Sequence, residues 1–169
     1  MFFGAVAVTK AALPVLRARG GGAIVQVSSM GGQVSVPGYG AYCAAKFALE
    51  GLSEALAGEV APFGIRVLIV EPGAFRTEFG GRRLHRSRRL DAYETSVGPT
   101  RRAVDGMDGT QPGDPRRAAE AIVEVLGSPE PPLRLALGDD AVDAIAATHG
   151  QRGRELRTWE KVSRSTGLR

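Results

Sequence analysis

The sequence predicts an α/β chain built on a parallel sheet, and three features predict it. Two short apolar runs rich in branched residues, 23–27 and 65–70, read as buried strands. Between them, 41–61 contains no proline and is rich in Ala, Leu and Glu, the composition of a helix. Strand, helix and strand in that order make a βαβ unit, whose crossover is right-handed in nearly all proteins.

The elements follow in order. Residues 2–19 place Phe3, Val6, Ala7, Leu13 and Leu16 at helical spacing interrupted by Pro14, and Gly20, Gly21 and Gly22 end this amphipathic helix. Strand 23–27 comes next. Residues 30–40 hold four glycines and Pro37, a loop at that strand's carboxyl end. In the helix 41–61, Phe47, Leu49, Leu52, Ala55, Leu56 and Val60 form an apolar surface wider than one sheet contact requires, and Pro62 and Gly64 stop it. Glu71, Pro72 and Gly73 close the second strand. Residues 75–110 lose periodicity and gain charge, with arginine at 82, 83, 86, 88 and 89, which predicts a long excursion carrying a short helix near 84–95. Asp114 before Pro115 caps a helix through Leu126. A third strand is predicted at 133–137. Two helices follow at 139–148 and 152–162, parted at Gly150, with Trp159 anchoring the polar second one to the body.

With 169 residues, 43% hydrophobic and 24% charged, the chain has the composition of a single globular domain rather than of a disordered or membrane-embedded chain. No run reaches the roughly 18 apolar residues that span a bilayer. Residues 1–8 lack the basic flank and cleavage site of a signal peptide, so the expected location is the cytoplasm. The lone Cys43 cannot form an internal disulfide or a cysteine zinc site. His85 and His149 lie too far apart to suggest a metal pair, and both read as surface residues. A net charge of +4 favours anionic ligands only mildly.

The residues that carry chemistry are Ser29, Tyr42 and Lys46. Tyr42 and Lys46 are four apart at the start of a helix and share one face of it. A phenol with a pKa of about 10 is a poor acid-base catalyst at neutral pH unless a nearby cation stabilises its anion, and Lys46 is placed to do so. Ser29, at the end of the preceding strand, can fold back over that face and donate a hydrogen bond to a substrate oxygen as charge develops there. Taken alone, Tyr42 and Lys46 also fit an ordinary helix start with an exposed lysine.

Together with Ile24-Val25-Gln26-Val27-Ser28-Ser29, Tyr42-Cys43-Ala44-Ala45-Lys46, and Pro72-Gly73 with Thr77 four residues beyond, the chain resembles the short-chain dehydrogenases/reductases. The resemblance extends over most of its length. It implies a partial Rossmann-type doubly wound parallel sheet and NAD- or NADP-dependent interconversion of a small alcohol and its ketone. Tyr42 would be the general acid-base. Lys46 would lower its pKa and bind the nicotinamide ribose, Ser29 would hold the substrate oxygen, and Ser28 would be structural. Pro72 and Gly73 would pack on the nicotinamide and Thr77 would bind its carboxamide, although a threonine there also suits a helix cap. Cys43 occupies a variable packed position, and Tyr39 packs in the loop. On this basis 1–169 is one partial domain: a helix-strand-helix-strand catalytic core at 1–71, a substrate loop at 72–113, and a closing helix-strand-helices segment at 114–169. The helices 2–19 and 41–61 would form a homodimer or homotetramer interface. The arginines at 82–89 are open to three readings: a solvated loop, recognition of an anionic substrate or the phosphate of NADP, and nucleic-acid binding. The last is not expected, since no binding motif or aromatic interleaving accompanies them.

The departures from the family pattern matter equally. The opening strand with its TGxxxGxG turn, which lets backbone approach a pyrophosphate, has no counterpart, and Gly20-Gly21-Gly22 precedes a strand rather than following one. The Asn-Ala-Gly segment is missing too, and the family's later asparagine falls where Met1 stands. The sequence thus reads as the carboxyl-terminal portion of such a domain, short by about 90 to 100 residues of a typical 250 or so. Strand 23–27 is expected to present an unpaired, aggregation-prone edge, and the chain alone is expected to be unstable and inactive. The alternative reading is a non-catalytic remnant that acts at most as a dimerising interaction module.

Overall fold

The computed structural model describes residues 1–80 and 86–168. Its elements are α1 (Phe2–Ala18), β1 (Gly22–Val27), α2 (Gly40–Val60), β2 (Ile65–Pro72), α3 (Glu94–Asp105), α4 (Pro115–Gly127), β3 (Arg134–Leu137) and α5 (Asp139–Arg164). The three strands form one parallel sheet in the order β1-β2-β3, with Gly22 opposite Ile65 and Ile69 opposite Arg134. Helices cover both faces, as the α/β reading requires. On one face Ile65, Val67 and Ile69 of β2 meet Leu56 and Val60 of α2 and Leu13 and Leu16 of α1. On the other, Leu68 and Val70 meet Leu137 and the α4 residues Ile122 and Val125. Strand β2 is therefore the core, with Ile69 and Val70 both 0% exposed. Strands β1 and β3 are the two edges of the sheet among the described residues.

The turn from α1 into β1 shows why glycines stand there. Gly21 has φ +151 and Gly64, opposite it, φ +68, and a Cβ on Gly21 would lie 2.9 Å from the Gly64 carbonyl oxygen. Only backbones without side chains can pass this closely.

Five expectations need correction. Strand β2 runs on through Glu71 and Pro72, because β3 pairs with both, and a proline at a strand's end lacks only an N–H that the ladder can spare there. The excursion carries its helix at Glu94–Asp105, not near 84–95, of which 84 and 85 lie outside the described residues. Gly98 and Pro99 look like breakers, yet Gly98 makes room for the Glu94 carboxylate, and buried Val104 holds the helix to the body. The two terminal helices are one, α5, since Gly150 and Gly153 cost only about 1 kcal/mol each in a helix. Pairs such as Gln151 to Glu155 at 2.8 Å and Arg164 to Glu160 at 2.8 Å span consecutive turns. Trp159 is 62% exposed rather than packed as an anchor, in the mostly exposed second half of α5. α1 also runs through Pro14 without a break. No helix among the described residues is long and apolar enough to cross a membrane.

Since Ile69 is enclosed from both sides of α1 and α2, Ile69→Ala should destabilise the fold by about 2 to 5 kcal/mol, read as a shift in the midpoint of urea denaturation.

Candidate active site

Ser29, Tyr42, Lys46, Pro72, Gly73 and Thr77 all border one cavity of about 630 Å³. The βαβ unit brings them there: Ser29 leaves β1, Tyr42 and Lys46 stand in the first turns of α2, and Pro72 ends β2. Ser29 is extended and caps the single turn Met30–Gly32, its Oγ accepting the Gly31 N–H at 3.0 Å. This cap turns the chain back toward α2. A Cβ on Gly31 would lie 2.9 Å from Tyr42 Cε1, so glycine is what lets the turn lie against the phenol ring. The ring itself stands between Tyr39, edge-on with centroids 5.7 Å apart, and Phe79 at 5.3 Å.

Lys46 Nζ lies 5.9 Å from the centroid of the Tyr42 ring and donates to the Val27 carbonyl oxygen at 2.9 Å. Burial raises the pKa of Tyr42, and a hydrogen bond with Ser29 works the other way. Burial likewise lowers the pKa of Lys46, with the negative charge of Glu50 opposing it. The balance differs from the expectation that Lys46 depresses the tyrosine. The ammonium stands off the ring with a backbone acceptor of its own, so desolvation dominates and Tyr42 is a neutral phenol.

The Pro72-Gly73 turn has a support that the sequence reading missed. Asp140, in the first turn of α5, accepts the Ala74 N–H on Oδ2 at 2.7 Å, and a Cβ on Gly73 would collide with that carboxylate. Two adjacent acids opening a helix after Gly138 were the available signal. Thr77 is exposed, and its Oγ1 accepts the Phe79 N–H at 3.3 Å, the capping role weighed for it. Cys43 is buried at 4% exposure, and Tyr39 packs against Tyr42 as a loop aromatic.

Lys46 is the one charged side chain among the described residues that line the cavity. Val34 and Val36 of the loop, Val104 near the end of α3, Met107 in the turn after it, and Ile122 of α4 make an apolar wall. Two described arginines of the excursion pair away from the cavity, Arg86 with Asp105 at 2.6 Å and Arg89 with Glu94 at 2.8 Å, bracing this segment on α3. Arg82, Arg83 and His85 lie outside the described residues. His149 is exposed, with Nε2 3.2 Å from Gln33 Oε1. Among the described residues no three His, Cys, Asp or Glu gather as a metal site.

The family model described as short chain dehydrogenase matches residues 1–87, with Ser29, Tyr42, Lys46, Pro72, Gly73 and Thr77 all inside the match. The chain belongs to the short-chain dehydrogenase family. A short-chain dehydrogenase of Streptomyces avermitilis, known from its crystal structure, is 51% identical with a TM-score of 0.88, over 98% of this chain and 60% of that one. Oxidoreductase BOA17 of Botryotinia fuckeliana is 42% identical over 140 residues, which cover 83% of this chain and 51% of the relative. A 3-ketodihydrosphingosine reductase of Bacteroides thetaiotaomicron is 38% identical over 139 residues, covering 81% and 51% respectively. This short-chain dehydrogenase thus spans about half the length of the curated relatives it matches.

Removing the Ser29 hydroxyl takes away the hydrogen bond that holds down the Tyr42 pKa. In Ser29→Ala the phenol should ionise at higher pH than in the parent, measured by ultraviolet titration against a Tyr42→Phe control.

Proposed function

We propose that the cavity is the catalytic half-site of an NAD(P)-dependent oxidoreductase that interconverts an alcohol and its ketone. The observation that carries this reading is the convergence of Ser29, Tyr42 and Lys46 on one cavity. The residues present fit the nicotinamide end of the cofactor. Lys46 has three N–H donors, and one is spent on Val27, leaving an ammonium for ribose hydroxyls. Pro72 and Gly73 offer a side-chain-poor turn for a flat ring, and Thr77 offers a hydroxyl for its carboxamide. When bound, the nicotinamide supplies a hydride acceptor or donor.

The chain's own residues handle the proton. Tyr42, a neutral phenol whose pKa Ser29 acts to lower against burial, donates its proton to a carbonyl oxygen and takes it back from the alcohol in the reverse direction. Ser29 holds the same oxygen through its hydroxyl, stabilising the charge that develops there. Lys46 supports the phenolate left behind by Tyr42, since its positive charge lies on the same helix face.

The wall of Val34, Val36, Val104, Met107 and Ile122 suits an uncharged, apolar substrate. An anionic one would find no counter-charge beyond Lys46 among the described lining residues. Residues 72–113 supply part of that wall and act as the substrate loop. One of the relatives is named as a reductase of a ketone, 3-ketodihydrosphingosine. The same reading makes α1 and α2 the contact between copies of the chain: Phe3 is 82%, Val8 72% and Val15 61% exposed on α1. Residues 1–169 form one partial domain and work in the cytoplasm. The alternative of a dimerising module without catalysis leaves the polar trio at the cavity unexplained.

Nicotinamide absorbance in the presence of apolar ketones tests the reading. In a complete enzyme that carries these residues, Tyr42→Phe should lower turnover by about 100-fold or more while leaving cofactor affinity nearly unchanged, whereas the 169-residue chain alone is expected to be inactive. Parent-like turnover in that variant would falsify the assignment. Cross-linking should trap dimers or tetramers, and Val8→Asp should reduce them; an exclusively monomeric parent defeats the α1–α2 contact.

A further inference from the structure

On the sheet face opposite the cavity lies a buried polar cluster that the oxidoreductase reading does not use. Glu50 of α2 is 4% exposed and Glu71 of β2 is 2% exposed. The Gln33 amide serves both, with Nε2 2.9 Å from Glu71 Oε1 and 3.5 Å from Glu50 Oε2. Arg134 at the start of β3 also reaches both, with Nε 3.2 Å from Glu50 Oε2 and 3.6 Å from Glu71 Oε1, and it gives Nη2 to Glu54 at 2.8 Å. The titratable groups around the pair are therefore Lys46 and Glu54 on α2, Arg134 on β3, and His149 on α5, which touches Gln33. The turn after β1 contributes Ser28 and Gly32, both uncharged. A Cβ on Gly32 would lie 2.7 Å from Ser28 Oγ and 2.9 Å from Glu50 Oε1, so the turn sits directly against the acid.

Charge counting decides the state of this cluster. Two buried carboxylates, with Glu54 beside them, face a single guanidinium, and an uncompensated buried charge costs several kcal/mol or so. Glu50 Oε2 and Glu71 Oε1 converge on the same two donors, Gln33 Nε2 and Arg134 Nε, so the two carboxyl groups are close neighbours that a single retained proton would relieve of repulsion. If both were ionised, Glu50 Oε1 would have no donor among the described residues. A neighbour of like charge is a standard cause of one retained proton.

We propose that Glu50 and Glu71 share one proton, and that the negative charge left on the pair acts on Lys46, one helical turn away, to keep its ammonium charged beside Tyr42. The two acids are positioning residues, acting through Lys46 and through the turn that carries Ser29. Two directions agree with this: burial foremost raises the pKa of Glu71, and Glu50 offsets the loss of solvent at Lys46. A neutral Lys46 amine would leave the phenolate of Tyr42 unsupported, so the pair stabilises the site from behind.

The proposal rests on Lys46 being the cation of the catalytic reading, but its test needs no turnover, so the two can fail separately. Stability is followed by denaturant unfolding across pH in the parent and in Glu71→Gln. A carboxyl that keeps its proton on folding contributes stability that is present below the ordinary glutamate pKa and lost as pH rises through its raised value. The parent should show that loss above the ordinary carboxylate range, and Glu71→Gln, which carries a permanent neutral isostere, should not. In parallel, acetylation of Lys46 by acetic anhydride is read across pH by mass spectrometry, with Lys10 and Lys161 as internal references. Glu50→Gln should make Lys46 reactive at lower pH and raise its labelling severalfold at mildly alkaline pH. Glu71→Gln, which keeps the charge of Glu50, should leave the Lys46 profile in place. An identical pH dependence of stability in parent and Glu71→Gln overturns the shared proton. An unshifted Lys46 profile in Glu50→Gln overturns the link to the site. If Glu50→Gln does not fold, Glu50→Asp, which keeps the charge, must preserve the Lys46 profile, and a shift there counts against the proposal.

Discussion

Everything at the cavity depends on the parallel pairing of β1 with β2 across the helix that joins them. Parallel strands place their carboxyl ends on the same side of the sheet, and the crossover helix must begin on that side in order to return. Ser29, Tyr42, Lys46 and the Pro72-Gly73 turn, scattered over more than forty positions, are thereby set around one cavity. The anchor is apolar: Ile69 and Val70 are completely buried, one toward each helical layer, so β2 cannot shift without exposing a core on both faces.

Within that frame the conflict at the site is between burial and charge. Enclosure raises the pKa of Tyr42 and lowers that of Lys46, the two directions that weaken a proton-transfer pair at neutral pH. Ser29 acts against the first effect by hydrogen bonding, and Glu50 against the second by charge. The glycines serve the same end through space rather than flexibility. Gly31 lets the turn touch the Tyr42 ring, Gly32 lets it touch Glu50, and Gly73 admits the Asp140 carboxylate beneath the turn that follows β2.

The legible parts of the chain were those whose signal is local. The βαβ unit could be read because β-branched runs and a proline-free helix differ in period and composition. The catalytic trio could be read because spacing on a helix face is fixed by helix geometry. What escaped depended on partners distant in sequence. Strand β2 was cut short at Val70 because its last residues are held by β3, more than sixty positions later. Helix α3 begins at the end of the stretch near 84–95 where charge and lost periodicity place a helix, and buried Val104, a tertiary contact, holds it there. Gly150 divided α5 on paper, yet a glycine with helical neighbours and no capping partner continues the helix at small cost. Asp140, Glu50 and Glu71 look like ordinary surface acids in the sequence, and only burial distinguishes them.

The sequence by itself determined the strand-helix-strand order, the side of α2 that carries the phenol and the ammonium, and the family to which those residues point, because each follows from periodicity along a few consecutive turns. Tertiary structure alone decided the ionisation balance at Tyr42 and Lys46, the apolar character of the cavity wall and the company of Glu50 with Glu71. These depend on solvent exclusion and on distances between segments, quantities that exist only once helices have closed over both faces of the sheet.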